Sequence, residues 1–275
     1  LVRADAGLAA PPAGRALIRV AEPLAAYHAL AAHERGARSW RVAAVTGSVG
    51  KTTTKGMLAA LLAPHLATGA SSGNRNSTLG LPAELLSQPP GVEVFVAEAG
   101  MSRPGELAAL GAILRPQVLL YTRIAPVHTE FFPDLDGIVR AKAELLPWLD
   151  AEGTLVVNAG DPHQAAYPSR TRARVLPYGP GAAARIEEVE DRGLLGSRFR
   201  LVLPGGDAVV ELAPAGLHQA ENLLAAAAAA SAFGVTADQV AAAARGLRAD
   251  PHRGRVLRTA GGVTVVDDSY NASPV

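Results

Sequence analysis

The chain has 275 residues, 49% of them apolar, a formal net charge of +1 and no cysteine. That length can bury one large core, or a core with a small appendage, and the near-neutral charge with scattered arginines provides no field for nucleic acid or an acidic membrane surface. The absence of thiols excludes disulfides and thiolate metal sites. No run of about 18 strongly apolar residues occurs, and no basic segment followed by an apolar stretch opens the chain. A cytoplasmic monomer with small-molecule partners, no nucleic acid and no membrane insertion is therefore expected. The basic residues are strongly biased, with lysine only at Lys51, Lys55 and Lys142; a lysine kept against that bias invites a chemical reason.

Residues 1–40 are rich in Pro and Ala, with a strand-like run at 16–20 and a helix-like run at 23–34, and read as the tail of a preceding module. From residue 41 short β-branched runs alternate with longer helical stretches, the pattern of βαβ units and a mostly parallel sheet. The expected strands are 41–46, 92–97, 117–122 and 154–158. A helix at 52–63 carries Met57, Leu58, Leu61 and Leu62 as one apolar stripe. Residues 174–213 differ, with runs at 185–190, 197–203 and 208–212 and a Gly205-Gly206 turn, so a small antiparallel subsheet is expected across about 174–213. Helices resume at 218–233 and 237–247, the second opened by the capping box Thr236-Ala237-Asp238-Gln239. A buried-type strand at 263–267 leads into Asp268-Ser269-Tyr270-Asn271 shortly before the sequence stops. The expectation is an α/β fold with a central domain over 41–262, a last strand and hinge over 263–275, and an absent following domain without which the fragment is inactive.

Strand, then Thr46-Gly47-Ser48-Val49-Gly50-Lys51-Thr52-Thr53, then helix is the context in which backbone N–H groups and a helix N-terminus cradle phosphates. Lys51 would neutralise the β- and γ-oxygens of ATP and the Thr52 hydroxyl would ligate Mg²⁺. The first glycine of the general pattern falls at Val45, and a Gly-rich turn serving only tight packing is the bland alternative.

The helix expected at 137–149 supports a separate inference. At about 100° per residue, Ile138, Lys142, Leu145, Leu146 and Leu149 share one face, while Arg140 and Glu144 point away. Lys142 thus sits in an apolar stripe, where an ammonium is costly and its pKa falls. A neutral lysine amine reacts with CO₂ to a carbamate, a carboxylate-like metal ligand; a snorkelling lysine is the alternative.

Several segments together resemble the Mur ligase family, ATP-dependent enzymes that add amino acids to the peptidoglycan precursor. They are the loop above, Ser72-Gly73-Asn74-Arg75-Asn76-Ser77-Thr78-Leu79-Gly80-Leu81-Pro82, Ala97-Glu98-Ala99-Gly100-Met101, Pro251-His252-Arg253 and Asp267-Asp268-Ser269-Tyr270-Asn271-Ala272. The last of these resembles the branch that adds D-alanyl-D-alanine to UDP-N-acetylmuramoyl-tripeptide through an acyl phosphate. The resemblance implies ATP and Mg²⁺ as cofactors, a carbamate on Lys142, and Glu98 and His128 beside it as further catalytic and metal-binding residues with Lys51 and Thr52. It also implies Asn222 at adenine, Arg253 at the phosphates, Asp268 at the ribose, and Asn74, Asn76, Ser77 and Thr78 at the sugar-peptide substrate. Two alternatives stay open: another ligase of the superfamily, of folylpolyglutamate or cyanophycin type, and a P-loop nucleotide-binding module without ligase chemistry.

Overall fold

The computed structural model describes residues 1–5, 11, 13–127 and 130–270. Two short parallel strands, β1 (Val2–Arg3) and β2 (Arg19–Val20), precede helix α1 (Pro23–Ala37). Strand β3 (Arg41–Thr46) runs into α2 (Lys51–Leu62), β4 (Thr68–Ala70) into α3 (Gly80–Leu86), and β5 (Val94–Glu98) into α4 (Glu106–Leu114). Next come β6 (Val118–Tyr121), α5 (Leu135–Lys142), β7 (Thr154–Asn158) and β8 (Arg174–Tyr178). Strands β3 to β8 form one parallel sheet in the order β4-β5-β3-β6-β7-β8.

A sheet covered on both faces needs strands with near-continuous apolar centres, and β3, β5, β6 and β7 have them, with polar residues at their ends. Along β3, Ala43 and Val45 face one core while Val42 and Ala44 face the other; along β5, Val94 and Val96 oppose Phe95 and Ala97. The first core is closed by α2, by α6 (Leu217–Ser231) and α7 (Ala237–Ala244), and by an antiparallel sheet of β9 (Arg185–Asp191), β10 (Ser197–Leu203) and β11 (Gly206–Leu212). Ala225 to Ala230 on α6 are all buried, and their small side chains let the helix lie against both α2 and the sheet. The second core is closed by α1, α3, α4 and the segment around α5. Helix α1 is anchored there by Arg35, whose Nε donates to the carbonyl of Leu114 at 2.9 Å, satisfying an open C-terminal group of α4.

The main sheet has strands that the sequence pattern did not resolve. β4 is only three residues long and includes Gly69. β8 was assigned to the antiparallel region, but residues 174–178 pair in parallel with β7, so the antiparallel subsheet covers 185–212. Pro177 lacks the N–H that a central strand needs, and β8 is an edge strand, where proline is tolerated.

Two other expectations need correction. The helix expected at 137–149 is α-helical only to Lys142 and tightens to a 3₁₀ helix over Ala143–Trp148. Pro147 cannot donate to the carbonyl four residues back, which favours the break. Its apolar face nevertheless survives: Ile138, Lys142, Leu145, Leu146 and Leu149 are all buried. The strand expected at 263–267 is not of the buried type. Strand β13 (Thr264–Asp267) pairs antiparallel with β12 (Arg255–Arg258) in a two-stranded hairpin, leaving Val265 42% and Val266 51% exposed.

Candidate functional site

In an open α/β sheet, ligands collect beyond the carboxyl ends of the strands. Here the ends of β3 and β5 and the loop after β6 surround a cleft of about 570 Å³. Gly47, Ser48, Val49, Gly50, Lys51 and Thr52 form one wall.

The phosphate loop is lashed to the segment after β6. Thr122 Oγ1 donates to the carbonyl of Val49 at 2.7 Å, Ser48 N to that of Arg123 at 2.7 Å, and Ser48 Oγ to that of Ala125 at 2.8 Å. Gly47 has φ +146°, and a Cβ there would overlap the Thr122 hydroxyl, so only glycine fits. Gly50, at φ +84°, caps α2 without a side chain in the way, leaving the first N–H groups of that helix open for an anion.

Lys51 Nζ donates to the Ser48 carbonyl at 3.0 Å. Burial lowers its pKa, the Glu98 charge opposes that shift, and Arg253 adds to it. Lys142 comes up from below: its residue is 2% exposed and its Nζ donates to the Gly47 carbonyl at 2.7 Å. Burial, reinforced by the positive charge of Lys51, holds its pKa well below the usual lysine range. The sequence inference of a lysine in an apolar stripe thus acquires a location, directly beneath the phosphate loop.

Glu98 ends β5 and is 1% exposed. Its Oε1 accepts from Asn76 Nδ2 at 2.7 Å, and its Oε2 accepts no hydrogen bond, although Lys55 Nζ lies 3.4 Å away. A buried carboxylate oxygen with spare lone pairs, in one cleft with the Thr52 hydroxyl, fits a hard cation. Asn74 and Ser77 line the cleft beside Asn76. Arg253 reaches it from the far side, its Nη2 donating to Thr52 Oγ1 at 3.2 Å and its guanidinium lying 3.9 Å from the centre of the Tyr270 ring.

Other sequence candidates stand apart. Asn222 lies behind the loop, where its Oδ1 accepts from Thr54 Oγ1 at 3.3 Å and abuts Gly50. Thr53 and Thr78 do not line the cleft; the Thr78 carbonyl meets His28 Nε2 at 2.7 Å. Asp268 is exposed beyond the β12–β13 hairpin, and His128 lies outside the described residues. The sequence reading assigned no role to Lys55, nor to Met101, Ser102 and Glu106, which also line the cleft. Lys55 alone had a visible signal, as one of three lysines and four residues after Lys51 on α2.

Comparison with known proteins agrees with this geometry. A family model described as the Mur ligase middle domain matches residues 45–230. The UDP-N-acetylmuramoyl-tripeptide–D-alanyl-D-alanine ligase of Bacillus subtilis is 31% identical, the match covering 98% of this chain and 58% of that protein. The Escherichia coli protein of the same name is 34% identical, with 90% and 56% covered. Among solved structures, MurF from Acinetobacter baumannii superposes with a TM-score of 0.89 at 31% identity, covering 94% of this chain and 57% of that one. MurF ligase from Thermotoga maritima in complex with ADP gives 0.85 at 28%, covering 97% and 62%. The chain spans little more than half the length of the curated relatives it matches. With a family model matched across most of the sheet, and relatives above 30% identity across nearly all of the residues that build the cleft, the chain belongs to the Mur ligase family.

Proposed function

We propose that the complete polypeptide carrying this chain is an ADP-forming ligase that joins D-alanyl-D-alanine to UDP-N-acetylmuramoyl-tripeptide in peptidoglycan precursor synthesis. One observation carries the reading: a phosphate loop, a buried carboxylate and a buried lysine share one cleft, where the carboxylate oxygen Glu98 Oε2 accepts no hydrogen bond. A nucleotide switch can hold Mg²⁺ with a loop hydroxyl and a strand-end carboxylate, but it has no need of a buried lysine beneath the loop. A ligase that phosphorylates a carboxylate must bring two anions together, and needs further charge beside the γ-phosphate. The names of the relatives supply the substrate class, and a UDP-linked substrate with ATP fits a cytoplasmic location.

In this reading the backbone N–H groups at the start of α2 and Lys51 grip the β- and γ-phosphates of ATP, and Arg253 closes over them from the opposite wall. Asn74, Asn76 and Ser77 orient the tripeptide carboxylate toward the γ-phosphorus. The carboxylate oxygen attacks, ADP leaves, and the amine of D-alanyl-D-alanine displaces phosphate from the acyl phosphate with loss of a proton. Mg²⁺ would be held by Thr52 and Glu98 and would neutralise charge developing on the transferred phosphoryl group. Among the described residues no group of three or more His, Cys, Asp or Glu is arranged as a metal site, so phosphate and water would complete its shell. Lys142, low in pKa and in an enclosed place, has the properties needed for carbamylation, and with His128 it would serve a second cation.

Phosphate release by the complete polypeptide tests the proposal. Release is expected only when ATP, UDP-N-acetylmuramoyl-tripeptide and D-alanyl-D-alanine are all present. Turnover that is indifferent to D-alanyl-D-alanine, or supported instead by a folate polyglutamate substrate, would reject it.

A further inference from the structure

Lysine occurs three times in the chain, and two of the three, Lys51 and Lys55, stand four residues apart on α2 and so share a face. Their ammonium groups serve different places. Lys51 turns back into the phosphate loop through the Ser48 carbonyl. Lys55, with a side chain 6% exposed, donates from Nζ to the Gly73 carbonyl at 2.9 Å and lies 3.4 Å from Glu98 Oε2. The same loop holds Glu98 by a second route, since Asn76 Nδ2 donates to Oε1 at 2.7 Å. Asn76 is itself pinned through its carbonyl, which accepts from Gly100 N at 2.9 Å just beyond β5. Glu98 is therefore hydrogen-bonded at Oε1 by Asn76 and ion-paired at Oε2 with Lys55, which also holds the Gly73 carbonyl of the same loop.

A buried carboxylate without a partner charge is strongly disfavoured, and a compact ammonium on a flexible stem can serve a carbonyl and a carboxylate together where a planar guanidinium would not fit both. We propose that Lys55 is a positioning residue that locks the 72–78 loop to Glu98, so that the carboxylate is presented to a divalent cation while Asn74 and Ser77 are held for the acyl substrate. The identity of that cation and substrate rests on the function proposed above; the lock itself does not. Loss of Lys55 frees the Gly73 carbonyl and removes the ion-pair partner of Glu98 Oε2, leaving Asn76 alone on the carboxylate, whereas a residue serving only to fill space would leave both groups unaffected.

The test uses the complete polypeptide and the variants Lys55→Met and Lys55→Arg. Mn²⁺ binding in the presence of ADP is read by electron paramagnetic resonance, and amide hydrogen exchange is compared between residues 72–78 and strand β7. Lys55→Met is expected to weaken Mn²⁺ binding about tenfold or more and to speed exchange in 72–78 by a similar factor, with β7 unchanged. The KM for the UDP-linked substrate should rise more than the KM for ATP. Mn²⁺ affinity and loop exchange both within about twofold of wild type would overturn the proposal. Should Lys55→Met fail to fold, Lys55→Arg carries the test: shifts of about threefold or more in the same two readouts are expected, and wild-type values in both overturn it. Wild-type protein that binds no Mn²⁺ with ADP would remove the proposed function, and the exchange comparison would still decide the role of Lys55.

Discussion

The cleft is built from two unlike regions. On the sheet side, Glu98 and Lys142 are nearly inaccessible, and each is tied by hydrogen bonds of 2.7 Å to a group distant in sequence. On the other side, the β12–β13 hairpin is largely exposed along both strands, and among the described residues no apolar layer covers it. It is linked to the cleft through the 252–253 segment: Asp267 pairs with His252, Tyr270 N donates to the His252 carbonyl, the Tyr270 ring stacks on Arg253, and Arg253 donates to Thr52. The buried charges sit where packing immobilises them, whereas Arg253 and Tyr270 sit beside an element held by a few polar contacts and no core.

The largest effect should come from the buried side. Lys142→Arg puts a permanent cation beneath Gly47 that cannot form a carbamate, and kcat/KM of the complete polypeptide is expected to fall by about a hundredfold or more. Wild-type activity in that variant would remove the carbamate. Next, Leu58→Ala on α2, at 0% exposure, should lower the unfolding free energy by about 2–5 kcal/mol in denaturant titration, against within about 0.5 kcal/mol for Val265→Ala in the hairpin. Equal losses at the two sites would erase the contrast.

Gly111→Ala sharpens the same point within α4, because a Cβ there would overlap the indole of Trp148; a loss of about 1–3 kcal/mol is expected in the same titration. The pH response of Lys142 has a definite sign. Its folded pKa lies below the unfolded value near 10.5, so between the two the unfolded chain binds more protons and stability rises with pH. The penalty is full below the folded pKa and vanishes above the unfolded one. In CO₂-free buffer, the pH-dependent part of the stability difference between Lys142→Met and wild type should therefore shrink as pH approaches 10.5, and a difference flat across the alkaline range would contradict the assignment. Smallest of all, Tyr270→Ala should raise the KM for ATP by only about two- to fivefold, the size of one exposed cation–π contact. A larger loss would mean that the hairpin does more than back Arg253.

The strands at 41–46 and 154–158, the phosphate loop and the buried face containing Lys142 were legible because each is a local pattern. A short continuous β-branched run, a glycine-lysine-threonine turn after a strand, and period-3.6 spacing all act within a few residues of one another. Even where Pro147 tightened the helix to a 3₁₀ form, the buried set was unchanged. By contrast, the membership of residues 174–178 in the main sheet depended on their pairing with β7, and the exposure of Val265 and Val266 on the lack of a covering layer. An apolar β-branched run reads the same in either setting.

By itself, then, the sequence determined an α/β unit with a phosphate-loop pattern and an oddly placed lysine, since propensity, turn chemistry and amphipathic spacing are properties of short segments. Only the tertiary structure decided what those residues meet. Lys142 finds the Gly47 carbonyl 95 residues away, Arg253 finds Thr52 across 201 residues, and Lys55 finds both Gly73 and Glu98. Such partners are set by strand order and helix packing, which bring together groups that no local pattern can pair.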